Sequence, residues 1–185
     1  DALGWKLRRD RGVVIDELDA DGIRARLPQL NGDFRMGLFL HDHGWCANPE
    51  RLTKSLAAEF ERNGGRMLQR KVLGIDVGPD GPRALNTDAG LLPVEKLVIC
   101  AGAHSNEFSS ALGDIVPLEA ERGYHLTYSD PRFSLPMPVM VPEQKCFVTP
   151  MEMGLRIAGQ SEFAGIAADP DYRRSEILGK LMQRM

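Results

Sequence analysis

The sequence predicts a mixed fold, α/β to α+β, in which one part contains a buried strand and the other a mixed, largely antiparallel sheet. Two changes of pattern carry this prediction. After Asn48 the apolar residues recur at helical spacing, and in "RKVLGIDV" they then recur at the period of two that is typical of a strand. After Glu119, four short strand patterns separated by turns follow one another, which favours an antiparallel sheet.

Composition limits the class of protein. The chain has 185 residues, of which 43% are hydrophobic and 26% charged, so it can bury a core as a globular protein. No apolar run approaches the roughly 18 residues of a membrane helix, and the N-terminus lacks the apolar segment of a signal peptide. A formal net charge of -3 argues against nucleic acid as a partner. Cys46, Cys100 and Cys146 are odd in number and far apart, which indicates a reducing compartment rather than a disulfide framework or a zinc site.

The first predicted elements are two helices with N-cap signals. Asp19 is placed to cap a short helix that runs through Leu27, and the stretch "FRMGLFLHDHGW" predicts an irregular strand and loop. Asn48 and Pro49 predict the N-cap and the first position of a longer helix, which Gly64-Gly65 ends. The apolar positions of this helix lie on one face: Leu52, Leu56 and Phe60.

A hairpin and a buried strand are predicted next. "RKVLGIDV" forms a strand, a turn at residues 78–81 reverses it, and the chain returns through residues 83–87. After a second turn at residues 88–90, "LLPVEKLVICAG" predicts a buried strand because apolar residues fill it continuously up to Cys100. A short helix is predicted from Ser105 to Leu112, with its stop at Gly113.

The rest of the chain predicts a second sheet and a last helix. The strands are expected at residues 119–128, 139–141, 146–149 and 153–158. Asp169 and Pro170 predict the start of the helix, whose apolar pattern continues to Met185 without a stop. Because the chain also begins on Asp1 rather than on a methionine, we expect a fragment of a longer protein.

The segment "LVICAGAHSN" is the first candidate site. A strand that ends in Ala101-Gly102 before a helix lets the main chain approach a ligand, since no side chain larger than a methyl group stands in the way. An anion or the edge of a flat cofactor fits such a place. The alternative is that Gly102 only makes the turn, and this stretch alone leaves both interpretations open.

The order of the segments carries a family resemblance. "NPERLTKSLAAEFERNGG", "RKVLGIDV", "EKLVICAGAHSNEF", "LGDIVPLEAERGYHLTY" and "GLRIAGQSEF" together resemble the flavoproteins that include D-amino-acid oxidases, glycine and sarcosine oxidases and bacterial D-amino-acid dehydrogenases. The last two segments are most similar to the dehydrogenase branch. The resemblance implies part of a Rossmann-like FAD-binding domain plus a substrate domain. The expected division is a substrate-domain and connecting segment at 1–47, part of the FAD-binding domain at 48–115 and the substrate-binding domain at 116–185.

The resemblance also implies residues that contact FAD. It assigns a main-chain contact with the adenine end to Val72, and a second contact along the dinucleotide to Cys100, Ala101 and Gly102. Val72 would remain an ordinary sheet residue even if its backbone also contacts FAD. Cys100 is expected to be a small packed apolar residue rather than a nucleophile. The G-x-G-x-x-G turn that holds the pyrophosphate in this family does not occur in the sequence. The family's arginine that clamps the substrate carboxylate would lie beyond Met185.

The resemblance implies three substrate-binding residues and no catalytic residue in this chain. Lys145 and Phe147 match the positions of a histidine and a tyrosine that face the flavin in glycine oxidases, and Glu162 matches another pocket position. Phe147 lacks the hydroxyl group, which favours an amino acid larger than glycine. Glu162 can equally be a solvated carboxylate at the end of a strand. No general base is expected, because a neutral amine can give up a hydride without one.

The resemblance implies an FAD-dependent enzyme that oxidises the C–N bond of D-amino acids to a keto acid and ammonia. The expected partners are a small amino-acid substrate and oxygen or a quinone as electron acceptor. The expected location is cytoplasmic, with peripheral attachment to the inner membrane as an alternative. Other open classes are a glycine- or sarcosine-type oxidase, the flavin domain of a tRNA-modifying enzyme and a non-catalytic binding module. No metal site is expected, because His41 and His43 have no third ligand at a suitable spacing.

Overall fold

The computed structural model describes residues 2–185, and five α-helices and nine β-strands lie among them. The helices are α1 (Ala2–Asp10), α2 (Ala20–Arg26), α3 (Pro49–Arg62), α4 (Ser105–Ser109) and α5 (Arg173–Met182). The strands are β1 (Ile15–Asp19), β2 (Met36–Leu40), β3 (Val72–Gly78), β4 (Gly81–Thr87), β5 (Gly90–Pro93), β6 (Glu121–Tyr128), β7 (Val139–Val141), β8 (Cys146–Met151) and β9 (Gly154–Phe163). The mixed fold with antiparallel sheets is confirmed.

Both predicted N-caps are present. Asp19 Oδ1 accepts a hydrogen bond from the Gly22 amide at 2.8 Å, which satisfies one of the unpaired donors at the start of α2. Asn48 Oδ1 accepts from the Arg51 amide at 2.9 Å and does the same for α3. Helix α1 was not predicted from the sequence.

The predicted hairpin is confirmed as a three-stranded antiparallel sheet, in the order β3-β4-β5. Val72 pairs with Thr87 across β3 and β4, and Leu85 pairs with Leu92 across β4 and β5. A register shift between Val72 and Gly74 inserts an extra residue on β3. A bulge of this kind leaves one residue out of the ladder and bends the strand.

The prediction of a buried strand at Leu97–Cys100 is wrong. This segment belongs to no strand, Val98 is 82% exposed and Cys100 is exposed. Its apolar run indicates a segment suited to burial, but a strand also requires a neighbour for its ladder, and residues 2–185 provide none there. The interpretation of Cys100 as a packed apolar residue is therefore wrong as well.

The second sheet is confirmed and carries a hydrophobic core. Its strand order is β6-β9-β8-β7, and β7, β8 and β9 pair antiparallel. One face of the sheet contributes core residues that are at most 1% exposed, and α5 adds Leu178 to the same hydrophobic core. The sheet residues of this kind are Cys146, Val148, Leu155 and Ile157.

Helix α5 begins at Arg173, later than the predicted start at Asp169-Pro170. The Asp171 amide donates a hydrogen bond to the Tyr124 hydroxyl at 2.7 Å, and the Asp171 carboxylate accepts from Arg173 Nε at 2.7 Å. The hydrogen bond from Arg173 is the main cause that lowers the pKa of Asp171. This tertiary contact fixes the chain before Arg173, so the first turn of α5 forms after it.

The chain divides into two compact units. The first comprises residues up to Leu52 together with Gly123–Ser161 and Pro170–Met185, and it contains the four-stranded core. The second comprises Thr53–Arg122 and Glu162–Asp169, and it contains the three-stranded sheet. Within residues 2–185, no helix has the length and apolar character needed to cross a membrane.

Candidate functional site

The segment around Gly102 presents bare main chain. Gly102 has φ +57°, in the left-handed region, and a Cβ placed on it would meet no atom within 4 Å. The chain then continues through a 3-10 turn at Gly102–His104 into α4 and stops at Gly113, as predicted. The positive φ shows that Gly102 makes a turn, and the open space beside it shows that the main chain is accessible there.

Val72, the other predicted FAD contact, lies in the same unit at the start of β3. The bulge that follows it leaves Leu73 out of the ladder. Strand β3 also contacts the 3-10 turn Ser110–Leu112, which closes the helical segment that begins at Gly102. The bulge after Val72 and the open space beside Gly102 fit a long cofactor held through backbone atoms.

The predicted substrate residues Lys145 and Phe147 lie in the first unit. Lys145 has φ +50° and is the one non-glycine residue with positive φ among residues 2–185, at the end of the 3-10 turn Pro142–Gln144. Phe147 follows on β8 and is 48% exposed, opposite Met140 on β7 and Ala158 on β9. The Phe147 side chain lies on the sheet face opposite the core, because the flanking Cys146 and Val148 are buried.

We call this surface the open sheet face and define it by five residues: Met140, Phe147, Thr149, Arg156 and Ala158. Thr149 pairs with Arg156, and Phe147 with Ala158, across β8 and β9. The face is apolar except for one hydroxyl group and one guanidinium group. Such a surface suits a small molecule that has both an apolar part and a charged part.

His125 on β6, the strand beside β9, is a neighbour of Arg156. Part of the imidazole remains exposed, yet burial by the surrounding protein lowers its pKa, and the positive charge of Arg156 lowers it further. Both causes favour the neutral imidazole. Sequence reasoning missed His125 and Arg156, although Arg156 interrupts the apolar run in "GLRIAG".

Glu162 forms an ion pair with Arg122 within the second unit. Arg122 Nη1 lies 3.2 Å from Glu162 Oε2, and the two side chains are 29% and 13% exposed. Arg122 Nη2 also donates to the carbonyl oxygen of Ala168 at 2.6 Å. The interpretation of Glu162 as a solvated carboxylate is therefore wrong.

Two other features do not form a chemical site. His41 Nε2 lies 2.8 Å from Asp16 Oδ2 on the paired strand, and no group of three or more potential metal ligands occurs in the described chain, 2–185. A shallow surface depression of about 470 Å³ is lined by residues of β1, α2 and β2, among them Glu17, and by Arg35, which precedes β2. It contains none of the predicted site residues.

The chain matches a known family along nearly its whole length. Residues 2–185 of the chain match the family described as FAD dependent oxidoreductase, DAO. The chain therefore belongs to this family, and its cofactor is FAD.

Named relatives support the same assignment. The chain is 34% identical to a D-amino-acid oxidase of Bradyrhizobium diazoefficiens over 176 residues, which are 95% of this chain and 42% of that protein. It is 26% identical to a D-amino acid dehydrogenase of Rhizobium rhizogenes over 172 residues, 90% of this chain and 41% of that protein. The chain thus spans about two fifths of the length of these relatives.

A solved structure shows the same fold. The L-proline dehydrogenase from P. horikoshii superposes with a TM-score of 0.82 at 15% identity, covering 97% of this chain and 50% of that one. At this identity the likeness concerns the fold, so the substrate must be argued from the residues of the chain.

Proposed function

We propose that this chain is the central part of an FAD-dependent enzyme that oxidises the C–N bond of D-amino acids to a keto acid and ammonia. The observation that carries the proposal is the accessible main chain at Gly102, in a chain that belongs to an FAD-dependent family. The D-amino-acid names of two relatives support the choice of substrate class.

In this proposal Val72, Cys100, Ala101 and Gly102 hold FAD through main-chain atoms. When bound, FAD supplies the hydride acceptor for the reaction. The chain orients the cofactor and keeps its own side chains out of the space that the cofactor needs. Residues 48–115 then act as part of the FAD-binding domain, and residues 1–47 and 116–185 serve the substrate side.

Lys145, Phe147 and Glu162 are proposed to border the substrate. Phe147 offers an exposed ring next to Met140 and Ala158, which favours an apolar substrate side chain over the hydrogen atom of glycine. Glu162 is held by Arg122, so its orientation is fixed before a substrate arrives. No side chain of the chain is assigned as a general base.

The test uses the purified full-length protein that contains this chain. Anaerobic addition of a D-amino acid should bleach the flavin absorbance, release keto acid and ammonia in equal amounts, and leave the flavin unchanged with the L-enantiomer. Re-oxidation by oxygen or by a soluble quinone analogue then identifies the acceptor. Flavin that is bleached by sarcosine or glycine but by no larger D-amino acid would contradict the proposal.

Phe147 provides the residue-level test of the substrate side. Phe147→Ala should raise KM for a large apolar D-amino acid more than for D-alanine, because it removes ring surface that only the larger side chain covers. Phe163→Ala is the matched control, since Phe163 is also exposed, at 68%, but is not one of the proposed residues. An equal increase in KM for both substrates would contradict the proposal that Phe147 borders the substrate side chain.

A further inference from the structure

Two asparagines of the chain are followed directly by glycine, in the pairs Asn31-Gly32 and Asn63-Gly64. Because glycine has no Cβ, its amide nitrogen can approach the side-chain carbonyl carbon of the preceding asparagine without steric hindrance. A nitrogen that reaches this carbon can displace ammonia from the side chain. In a folded protein the reaction depends on the hydrogen bonds that hold the two reacting groups.

Both reacting groups of Asn31-Gly32 are unrestrained. The pair lies in the connection between α2 and β2, and Asn31 is exposed to water. Within residues 2–185, neither the side-chain amide of Asn31 nor the main-chain nitrogen of Gly32 forms a hydrogen bond. No hydrogen bond of the fold therefore has to break before the glycine nitrogen attacks.

Asn63-Gly64 provides the contrast, because the end of α3 holds both of its reacting groups. Asn63 Nδ2 donates to the carbonyl oxygen of Glu59 at 2.8 Å and to Glu59 Oε1 at 2.7 Å. The Gly64 amide donates to the carbonyl oxygen of Glu61 at 3.0 Å. These three hydrogen bonds oppose the movement that brings the glycine nitrogen to the side-chain carbon.

We propose that Asn31 is a site of spontaneous deamidation, with water as the co-reactant. The Gly32 nitrogen forms a bond to Asn31 Cγ, the Cγ–Nδ2 bond breaks, and the amide proton of Gly32 leaves with the side-chain nitrogen as ammonia. Water then opens the succinimide ring at either of its two carbonyl groups. The products are aspartate, with the normal main chain, and isoaspartate, whose main chain runs through Cβ and Cγ.

The isoaspartate product should disturb the core of the first unit. The Asn31 amide donates a hydrogen bond to the carbonyl oxygen of Met185, which is 5% exposed in the hydrophobic core. Leu30 and Phe34, on either side of the pair, pack against the same core. An additional main-chain carbon atom at position 31 changes the spacing of these two side chains, and a close-packed interior tolerates such a change poorly.

The test uses the full-length protein that contains this chain, incubated at neutral pH and physiological temperature. Peptide mass spectrometry measures the fraction of each asparagine that is converted to aspartate or isoaspartate. Asn31 should react about tenfold faster than Asn63 or more, because three hydrogen bonds of modest strength protect Asn63-Gly64. In denaturant the two rates should become similar. Equal rates in the native protein, or an unchanged ratio in denaturant, would overturn the proposal.

A variant of the protected pair tests the role of the hydrogen bonds. Glu59→Ala removes the Oε1 acceptor of Asn63, so conversion of Asn63 should accelerate while conversion of Asn31 keeps its rate. Unchanged conversion of Asn63 in this variant would contradict the explanation that hydrogen bonds decide which pair reacts.

Thermal unfolding after incubation tests the consequence for the fold. The incubated wild type should unfold at a lower temperature than the fresh protein, in proportion to its isoaspartate content at position 31. Asn31→Gln is the control, because its side-chain carbonyl carbon lies one bond further from the glycine nitrogen and a larger ring must close. The control should lose less stability on incubation. An equal loss in both proteins would show that modification of Asn31 does not disturb the core.

Discussion

Two properties of Gly102 could each explain why a glycine is present: its backbone angle and the open space beside it. Its φ of +57° requires a residue that tolerates the left-handed region, and the space beside it is open. A Cβ introduced there would have no heavy atom within 4 Å, so its direct cost to the fold is conformational. If a substitution at Gly102 lowers FAD affinity, the cofactor occupies the open space beside this residue.

Substitutions at Gly102 separate these properties. Gly102→Asn tolerates the left-handed region, so thermal unfolding of the FAD-free protein should change little, whereas FAD affinity should fall because the new side chain enters the cofactor's space. Gly102→Val should lower both, since a branched side chain is also strained at this φ. The measurements are FAD titration and thermal unfolding of the full-length protein with and without FAD. Unchanged FAD affinity in Gly102→Asn would leave Gly102 as a turn residue only.

His125 predicts a dependence of stability on pH. Its pKa is lowered from 6.5 in the folded protein, by burial first and by Arg156 second. As pH falls below about 6.5 the unfolded chain takes up a proton that the folded protein does not, so the free energy of unfolding decreases. His125→Gln should reduce the loss of stability between pH 7 and pH 5, measured by denaturant unfolding, since Gln does not titrate. An identical pH dependence in the variant would show that His125 contributes nothing to it.

The three cysteines should differ in reactivity. Cys146 is 0% exposed and burial raises the pKa of its thiol, whereas Cys46 and Cys100 are exposed. The thiolate is the nucleophile, so Cys146 should be alkylated at least about tenfold more slowly than the other two in the native protein. Iodoacetamide labelling followed by mass spectrometry counts the modified thiols. Rapid labelling of Cys146 would contradict its burial, and labelling in denaturant provides the control.

At the scale of elements, the start of α3 joins local and long-range contacts. Asn48 caps the helix through Oδ1, and its Nδ2 donates to Glu152 Oε2 at 2.7 Å. Arg51, in the first turn, forms an ion pair with the same carboxylate. The N-terminus of α3 is therefore attached to the turn between β8 and β9 through Glu152, whose backbone amide also donates to the Ala47 carbonyl oxygen at 3.0 Å.

Substitution of Asn48 tests this attachment. Asn48→Ala should lower the free energy of unfolding by about 1–2 kcal/mol because the cap is lost, and thermal unfolding measures the change. Asn48→Asp keeps the cap acceptor but places a second carboxylate beside Glu152, so its stability should lie between those of the wild type and Asn48→Ala. The double variant Asn48→Asp, Glu152→Gln should recover part of the loss, because it removes the like charge. If the double variant is no more stable than Asn48→Asp, the charge of Glu152 does not contribute to the loss of stability.

At the scale of the whole molecule, the chain should not retain FAD by itself. It spans 42% of the length of the related D-amino-acid oxidase, and it lacks the G-x-G-x-x-G turn that the family resemblance assigns to the pyrophosphate. We therefore expect the purified 185-residue chain to be colourless and inactive, whereas the full-length protein is yellow. Absorbance at the flavin bands gives the ratio of FAD to protein, and a ratio near one in the isolated chain would contradict this expectation.

The sequence by itself determined the features that depend on neighbouring residues. The caps at Asp19 and Asn48, the stop at Gly113 and the period of the hairpin strands were all predicted, because each is fixed by hydrogen bonds or backbone angles within a few residues. The tertiary structure decided what depends on distant segments. Within residues 2–185 it placed no strand beside Leu97–Cys100, and it began α5 only after the hydrogen bond between the Asp171 amide and the Tyr124 hydroxyl. It also paired Glu162 with Arg122, 40 residues away. It also brought His125 beside Arg156, because strand order is set by burial of the core face, and period and spacing alone do not specify which strands become neighbours.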